Sequence, residues 1–110
     1  MVNVMTINVN GLRRKLTRQT IFKNIRKKQI DVCFVQESFI TENVQSVFME
    51  DWDGKMLYSP GTQHSLGNII LFDKSFEMTN LESIVEHDRL LACSFEHDNE
   101  KYLCLNVYYP

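Results

Sequence analysis

The sequence lacks any apolar run approaching the ~20 residues of a membrane-spanning helix, and no signal-peptide pattern opens it. It has no cysteines at the close C-x-x-C spacing of zinc ligands; Cys33, Cys93 and Cys104 stand singly within apolar, strand-like runs. An odd cysteine count without a secretory signal leads to the expectation of reduced, buried thiols in an intracellular protein. His64, His87 and His97 fall in loops or near strand ends, at no ligand or triad spacing, and are expected at the surface. Internal repeats and low-complexity linkers are absent too. Acid is missing from the start of the chain: no Asp or Glu precedes Asp31.

In its place stands a concentration of positive charge. Arg13, Arg14, Lys15, Arg18, Lys23, Arg26, Lys27 and Lys28 are eight of the twelve Lys and Arg residues, although the net charge is −2. Such asymmetry is the footprint of a polyanion-binding face or, equally, of a solvated helix surface. With 110 residues, 44% apolar and 24% charged, the chain has an ordinary globular composition and the size of one domain or a piece of one.

The apolar pattern divides the chain into elements. Val2 to Val9 reads as a strand. Leu16, Ile21, Phe22 and Ile25 then fall at helical spacings, which predicts a helix from about Leu16 to Lys28. "IDVCFVQES", Ile30 to Ser38, is apolar on both faces, as strands of a doubly covered sheet are. Strand, helix and strand with short joints make a βαβ unit, so the two strands are expected to be parallel neighbours. A short helix from about Thr41 to Met49, a strand at "KMLYS" and a polar loop at "PGTQHSLG" follow. "NIILF", "EMTNLESIVE", "LLACSFE" and "KYLCLNVYY" read as strands, the last two joined as a hairpin by "HDNEK". Trp52 in "MEDWDGK" is expected to pack at a loop. The architecture is α/β: a mixed sheet with a βαβ start and an antiparallel second part.

Polar groups collect at the carboxyl ends of these strands. Asn8 and Asn10 end the first, Gln36 and Glu37 the second, Asn106 and Tyr108 the last. In open α/β sheets, ligands gather in the crevice outside such ends. A carboxylate with amide oxygens beside it is a hard, oxygen-rich site, and Mg²⁺ is held by one or two carboxylates plus waters and substrate phosphate. A simple Asn10-Gly11 turn and half-buried sheet tyrosines remain the competing readings. A flavodoxin-like phosphate loop is disfavoured, since "NVNGLRRK" is short of glycine and hydroxyls.

"INVNGL", "DVCFVQES", "SLGNIILF" and "LNVYYP" resemble, in that order, the opening motifs of the endonuclease/exonuclease/phosphatase superfamily. The order and spacing most resemble the apurinic-endonuclease-like domain of non-LTR (LINE-type) retrotransposons, over Met5 to Pro110. The resemblance implies the N-terminal half of a four-layer α/β sandwich, two sheets with helices outside. It implies Glu37 as ligand of Mg²⁺ (or Mn²⁺) with Asn10 beside the metal, Asn8 in the network around metal and phosphate, and Tyr108 on the scissile phosphate. Gly11 and Gly67 would be structural, and Arg13, Arg14, Lys15 and Arg18 would hold DNA backbone. Leu66 departs from the pattern, standing where those domains carry a polar or basic residue.

The family's later motifs, Asp-x-Asn and a terminal Ser-Asp-His, are not in these 110 residues. The expectation is therefore a partial domain, residues 1–110, truncated before those motifs and inactive alone. The chain is expected to stop after roughly its first sheet, leaving the core face of that sheet exposed and inclined to self-associate. Alternatives are a phosphatase or RNA-directed nuclease on the same fold, and a non-catalytic, decayed or nucleic-acid-binding fragment working through the basic helix. Nuclear localisation is expected if the chain acts on DNA, and no membrane association.

Overall fold

The β-rich run Val4–Asn8 (β1) and the apolar run Val32–Gln36 (β2) lie side by side as parallel strands, with Val4 opposite Val32 and Asn8 opposite Gln36. The structure is a computed structural model that describes residues 1–41, 50–62, 66–87 and 89–108. Helix α1 (Lys15–Lys27) makes the crossover, as parallel neighbours require. It ends in a Schellman arrangement without glycine: Gln29 takes φ +56, its N–H reaches Arg26 O at 3.0 Å, and Ile30 N–H reaches Ile25 O at 3.3 Å. The buried stripe of α1 differs from the expected one. Leu16 is 76% exposed, and Arg18 takes its place in the stripe with Phe22 and Ile25.

β3 (Met56–Gly61) and β4 (Leu66–Phe72) complete a four-stranded sheet of order β1-β2-β4-β3, antiparallel beyond the first pair. Both strands run further than the sequence predicts, since Pro60, Gly61, Leu66 and Gly67 of the expected polar loop are strand residues. β3 is the edge strand, where a proline's missing N–H leaves no gap in the ladder. The predicted helix at 41–49 lies, except for Thr41, outside the described residues, as do His64 and Pro110.

The largest departure concerns the second sheet. β5 (Thr79–Glu86), β6 (Leu90–His97) and β7 (Glu100–Val107) form a separate antiparallel meander of order β5-β6-β7. The chain therefore does not stop after one sheet. The segment from Asp73 to Met78 carries it across to the face of the first sheet away from α1, because β4 and β6 each bear large apolar groups that need a partner surface. Val32, Ile70 and Phe72 of the first sheet meet Leu91, Cys93 and Phe95 of the second, with Phe72 and Phe95 edge to face at 5.7 Å. The face expected to be bare is a sandwich core. A second core lies under α1, where Leu12, Phe22 and Ile25 pack on Cys33, Val35, Ile69 and Leu71.

The β6–β7 hairpin turns through Asp98 (φ +49) and Asn99 (φ +64), the two left-handed residues of a type I′ turn. His97, expected at the surface, has a side chain only 17% exposed; its ring stacks on Phe76 at 4.4 Å. Trp52 packs as expected, edge to face with Phe22 at 5.2 Å, and donates from Nε1 to Phe72 O at 3.1 Å.

Candidate active site

Parallel pairing places the ends of β1 and β2 at one edge of the sheet, and antiparallel β4 begins there. The backbone at this edge is unusual. Asn10, Glu37, Phe39 and Leu66 all have φ between +50 and +64, with Gly11 at +102 and Gly67 at +96. Non-glycine residues in that region are strained by about 1–3 kcal/mol each and persist only where surroundings over-determine them. Three loops lace together to do so: Gly11 N–H to Glu37 O (2.7 Å), Leu12 N–H to Ser38 O (2.8 Å), Ser38 N–H to Gly67 O (3.1 Å) and Phe39 N–H to Leu66 O (3.1 Å). Neither glycine tolerates a side chain. A Cβ on Gly11 would lie 2.8 Å from the Phe39 ring, and one on Gly67 would lie 2.3 Å from Ser38 Oγ.

Within this cradle Asn8 donates from Nδ2 to Glu37 Oε2, and its Oδ1 accepts from Asn10 N–H at 3.2 Å. The strand-end amide thus fixes one carboxylate oxygen. Glu37 Oε1 and the side-chain amide of Asn10 have no hydrogen-bond partner among the described residues. A carboxylate and an amide oxygen are hard donors that suit Mg²⁺ completed by water and phosphate. No group of three His, Cys, Asp or Glu that could hold an ion exists among the described residues.

Asn106 joins the two sheets behind this point. Its Nδ2 donates to Val35 O (3.0 Å) and Ile69 O (2.9 Å), and its Oδ1 accepts from Gln36 Nε2 at 2.7 Å. Gln36 also donates to Thr6 Oγ1 at 3.0 Å. The carboxyl end of β7 is thereby pinned beside Glu37's chain neighbour. Tyr108 follows two residues later, half-buried, with its N–H on Arg89 O at 2.9 Å.

Asn68 is a residue that sequence reading passed over. It is fully buried near the start of β4, and neither its Nδ2 nor its Oδ1 has a partner among the described residues. An unpaired buried amide costs about 1–3 kcal/mol, an arrangement that calls for explanation at a candidate site. The signal was an asparagine opening an otherwise apolar strand.

The basic residues separate into two kinds. Arg13, Arg14 and Lys15 are exposed at the entry to α1. Arg18, placed with them by sequence, is buried: Nε meets Asp51 Oδ2 at 2.8 Å, and Nη1 donates to Leu12 O (3.2 Å) and Arg13 O (2.8 Å). Its guanidinium ties the β1–α1 loop to Asp51 and faces the protein, not a polyanion.

No protein-family model matches the chain. It is 27% identical over 111 residues to an uncharacterized 149 kDa protein of transposon TX1 from Xenopus laevis, covering 99% of this chain and 8% of that protein. Among solved structures it is similar to the AP endonuclease LMAP from Leishmania major, with TM-score 0.71 and 16% identity over 97% of this chain and 40% of that one. Truncated TDP2 of Caenorhabditis elegans gives TM-score 0.67 and 22% identity over 99% of this chain and 46% of that one. The chain has an endonuclease/exonuclease/phosphatase-like fold. It spans less than half the length of either structure. Asn8, Asn10 and Glu37 lie at and just beyond the carboxyl ends of β1 and β2 in this two-sheet fold. No helix among the described residues is long and apolar enough to cross a membrane.

Proposed function

We propose that the chain is part of a divalent-metal-dependent phosphodiesterase domain that cleaves DNA backbone on behalf of a LINE-type transposable element, and acts in the nucleus. The single observation that carries the reading is the strand-end contact in which Asn8 orients Glu37, while Glu37 Oε1 and the Asn10 side-chain amide have no partner among the described residues. Glu37, with Asn10 beside it, would hold Mg²⁺ or Mn²⁺. When bound, the ion supplies Lewis acidity toward a phosphoryl oxygen and the leaving alkoxide.

The chain's own residues do the positioning. Asn8 fixes the Glu37 carboxylate, and Gln36 and Asn106 hold β2 and β7 at constant separation. The Tyr108 hydroxyl donates to a phosphate oxygen, and Arg13, Arg14 and Lys15 track the backbone without reading sequence. The 110 residues span 40% and 46% of the two similar solved structures, and we assign the general base to none of the described residues. The isolated chain is accordingly proposed to bind DNA and leave it intact.

Supercoiled-plasmid nicking tests this directly. The 110-residue chain with Mg²⁺ is expected to leave the plasmid closed, whereas Mg²⁺-dependent nicking lost in Glu37→Ala would show these residues to be catalytically sufficient. The exposure of Arg13, Arg14 and Lys15 also favours a second reading, a binding module alone. On that reading, salt-sensitive DNA affinity depends on these cations and no metal binds at Glu37.

A further inference from the structure

Phe39 stands two residues after Glu37, and no core contact among the described residues accounts for it. It belongs to neither apolar core cluster, is half-buried, and holds a left-handed backbone at φ +59. Its ring lies against Gly11 and lines an open hollow of about 340 Å³ shared with Asn10, Arg13, Arg14 and Thr17. Neither guanidinium is tied by hydrogen bond or ion pair to another described residue. Arg14 is also the N-cap of α1 without a side-chain cap, and the first turn carries no acidic residue. No carboxylate of that turn competes for the positive charge.

We propose that this hollow is a nucleotide subsite. The base next to the phosphate held at Glu37 stacks on Phe39, while Arg13 and Arg14 take the flanking phosphates. The assignment rests on the reading that a nucleic-acid phosphodiester is received at Glu37. An acidic peptide would satisfy the arginines and leave the ring, on its left-handed backbone, without a purpose; a nucleotide uses both. An aromatic platform beside guanidinium groups is the combination by which single-stranded nucleic acid is gripped independently of sequence.

The test is a binding series on the 110-residue chain. A short single-stranded oligothymidylate is compared with versions in which one tetrahydrofuran abasic residue is moved through it position by position. Loss of the base at one position is expected to weaken binding at least about fivefold, with little effect elsewhere. Phe39→Leu keeps an apolar side chain against Gly11 but removes the π face, and abolishes that position dependence; Phe39→Trp retains it. Arg13→Ala weakens every oligonucleotide equally and lowers the salt dependence. A uniform abasic effect in the wild type, or a position dependence that survives Phe39→Leu, overturns the subsite, as does tighter binding of a poly-glutamate peptide than of DNA. Mn²⁺ binding in the same preparation, lost in Glu37→Gln, separates the outcomes: its persistence beside a failed abasic scan removes the subsite and leaves the metal site standing.

Discussion

Asn106 donates to two buried carbonyls of the facing sheet and accepts from Gln36, so one amide bridges three groups across the sandwich. Asn106→Leu is predicted to destabilise the chain by at least about 2 kcal/mol, read from the urea midpoint. An unchanged midpoint would show that this bridge is not what joins the sheets at the site. The thiols differ in the same residue-level way. Burial pushes Cys33 up to about 12 from 9.0, while a hydrogen bond from Cys93 holds Cys104 below its ordinary value and drives Cys93 upward. Native-state alkylation with iodoacetamide at pH 8 is predicted to label Cys104 first and spare Cys33. The sign for stability follows: above about pH 9 the unfolded chain releases the Cys33 proton and the folded chain keeps it, so Cys33 makes stability fall as pH rises from 9 toward 12. The Asn8–Glu37 approach was legible because two parallel strand ends must share an edge. The Asn106 bridge was not, because it joins residues 70 and 71 positions apart across a sandwich that no local pattern specifies.

At the scale of elements, α1 shows where periodicity misleads. Leu16 fits the apolar spacing and is exposed, whereas the cation Arg18 enters the buried stripe because Asp51, 33 residues on, neutralises it. Side-chain exposure of the pair is 7% and 14%. Breaking such a pair from one side strands a buried charge, so Arg18→Ala is predicted to cost about 3–5 kcal/mol, against no more than about 0.5 kcal/mol for Lys15→Ala. Equal effects in thermal melts would remove the distinction drawn between the two kinds of basic residue. The strands β1, β2, β6 and β7 and the hairpin turn could be read from apolar runs and from Asp98-Asn99. The extension of β3 and β4 into the glycine-containing loop could not, since Pro60 and Gly67 are ordinarily strand breakers and are tolerated here by edge position and left-handed geometry.

At the scale of the whole molecule, the sandwich is covered between its sheets and open along β1 and β7. Val4, Leu103, Leu105 and Val107 are each more than half exposed, and both strands are sheet edges. An unpaired edge with a row of apolar side chains favours association. The isolated chain is predicted to self-associate with rising concentration in analytical ultracentrifugation, and Leu103→Lys with Leu105→Lys to reduce it. A monomer at all concentrations would mean that the β7 surface is satisfied as it stands. The two similar solved structures extend well beyond the part spanned here.

The central claim is a metal site at the strand-end cradle, and Mn²⁺ binding followed by the loss of the free-ion EPR signal tests it most directly. Wild-type chain is predicted to take up Mn²⁺, with Mg²⁺ competing. Glu37→Gln should weaken binding at least about tenfold, Asn8→Ala less so, and Arg13→Ala not at all. Equal Mn²⁺ uptake by wild type and Glu37→Gln, or none by either, would contradict the account.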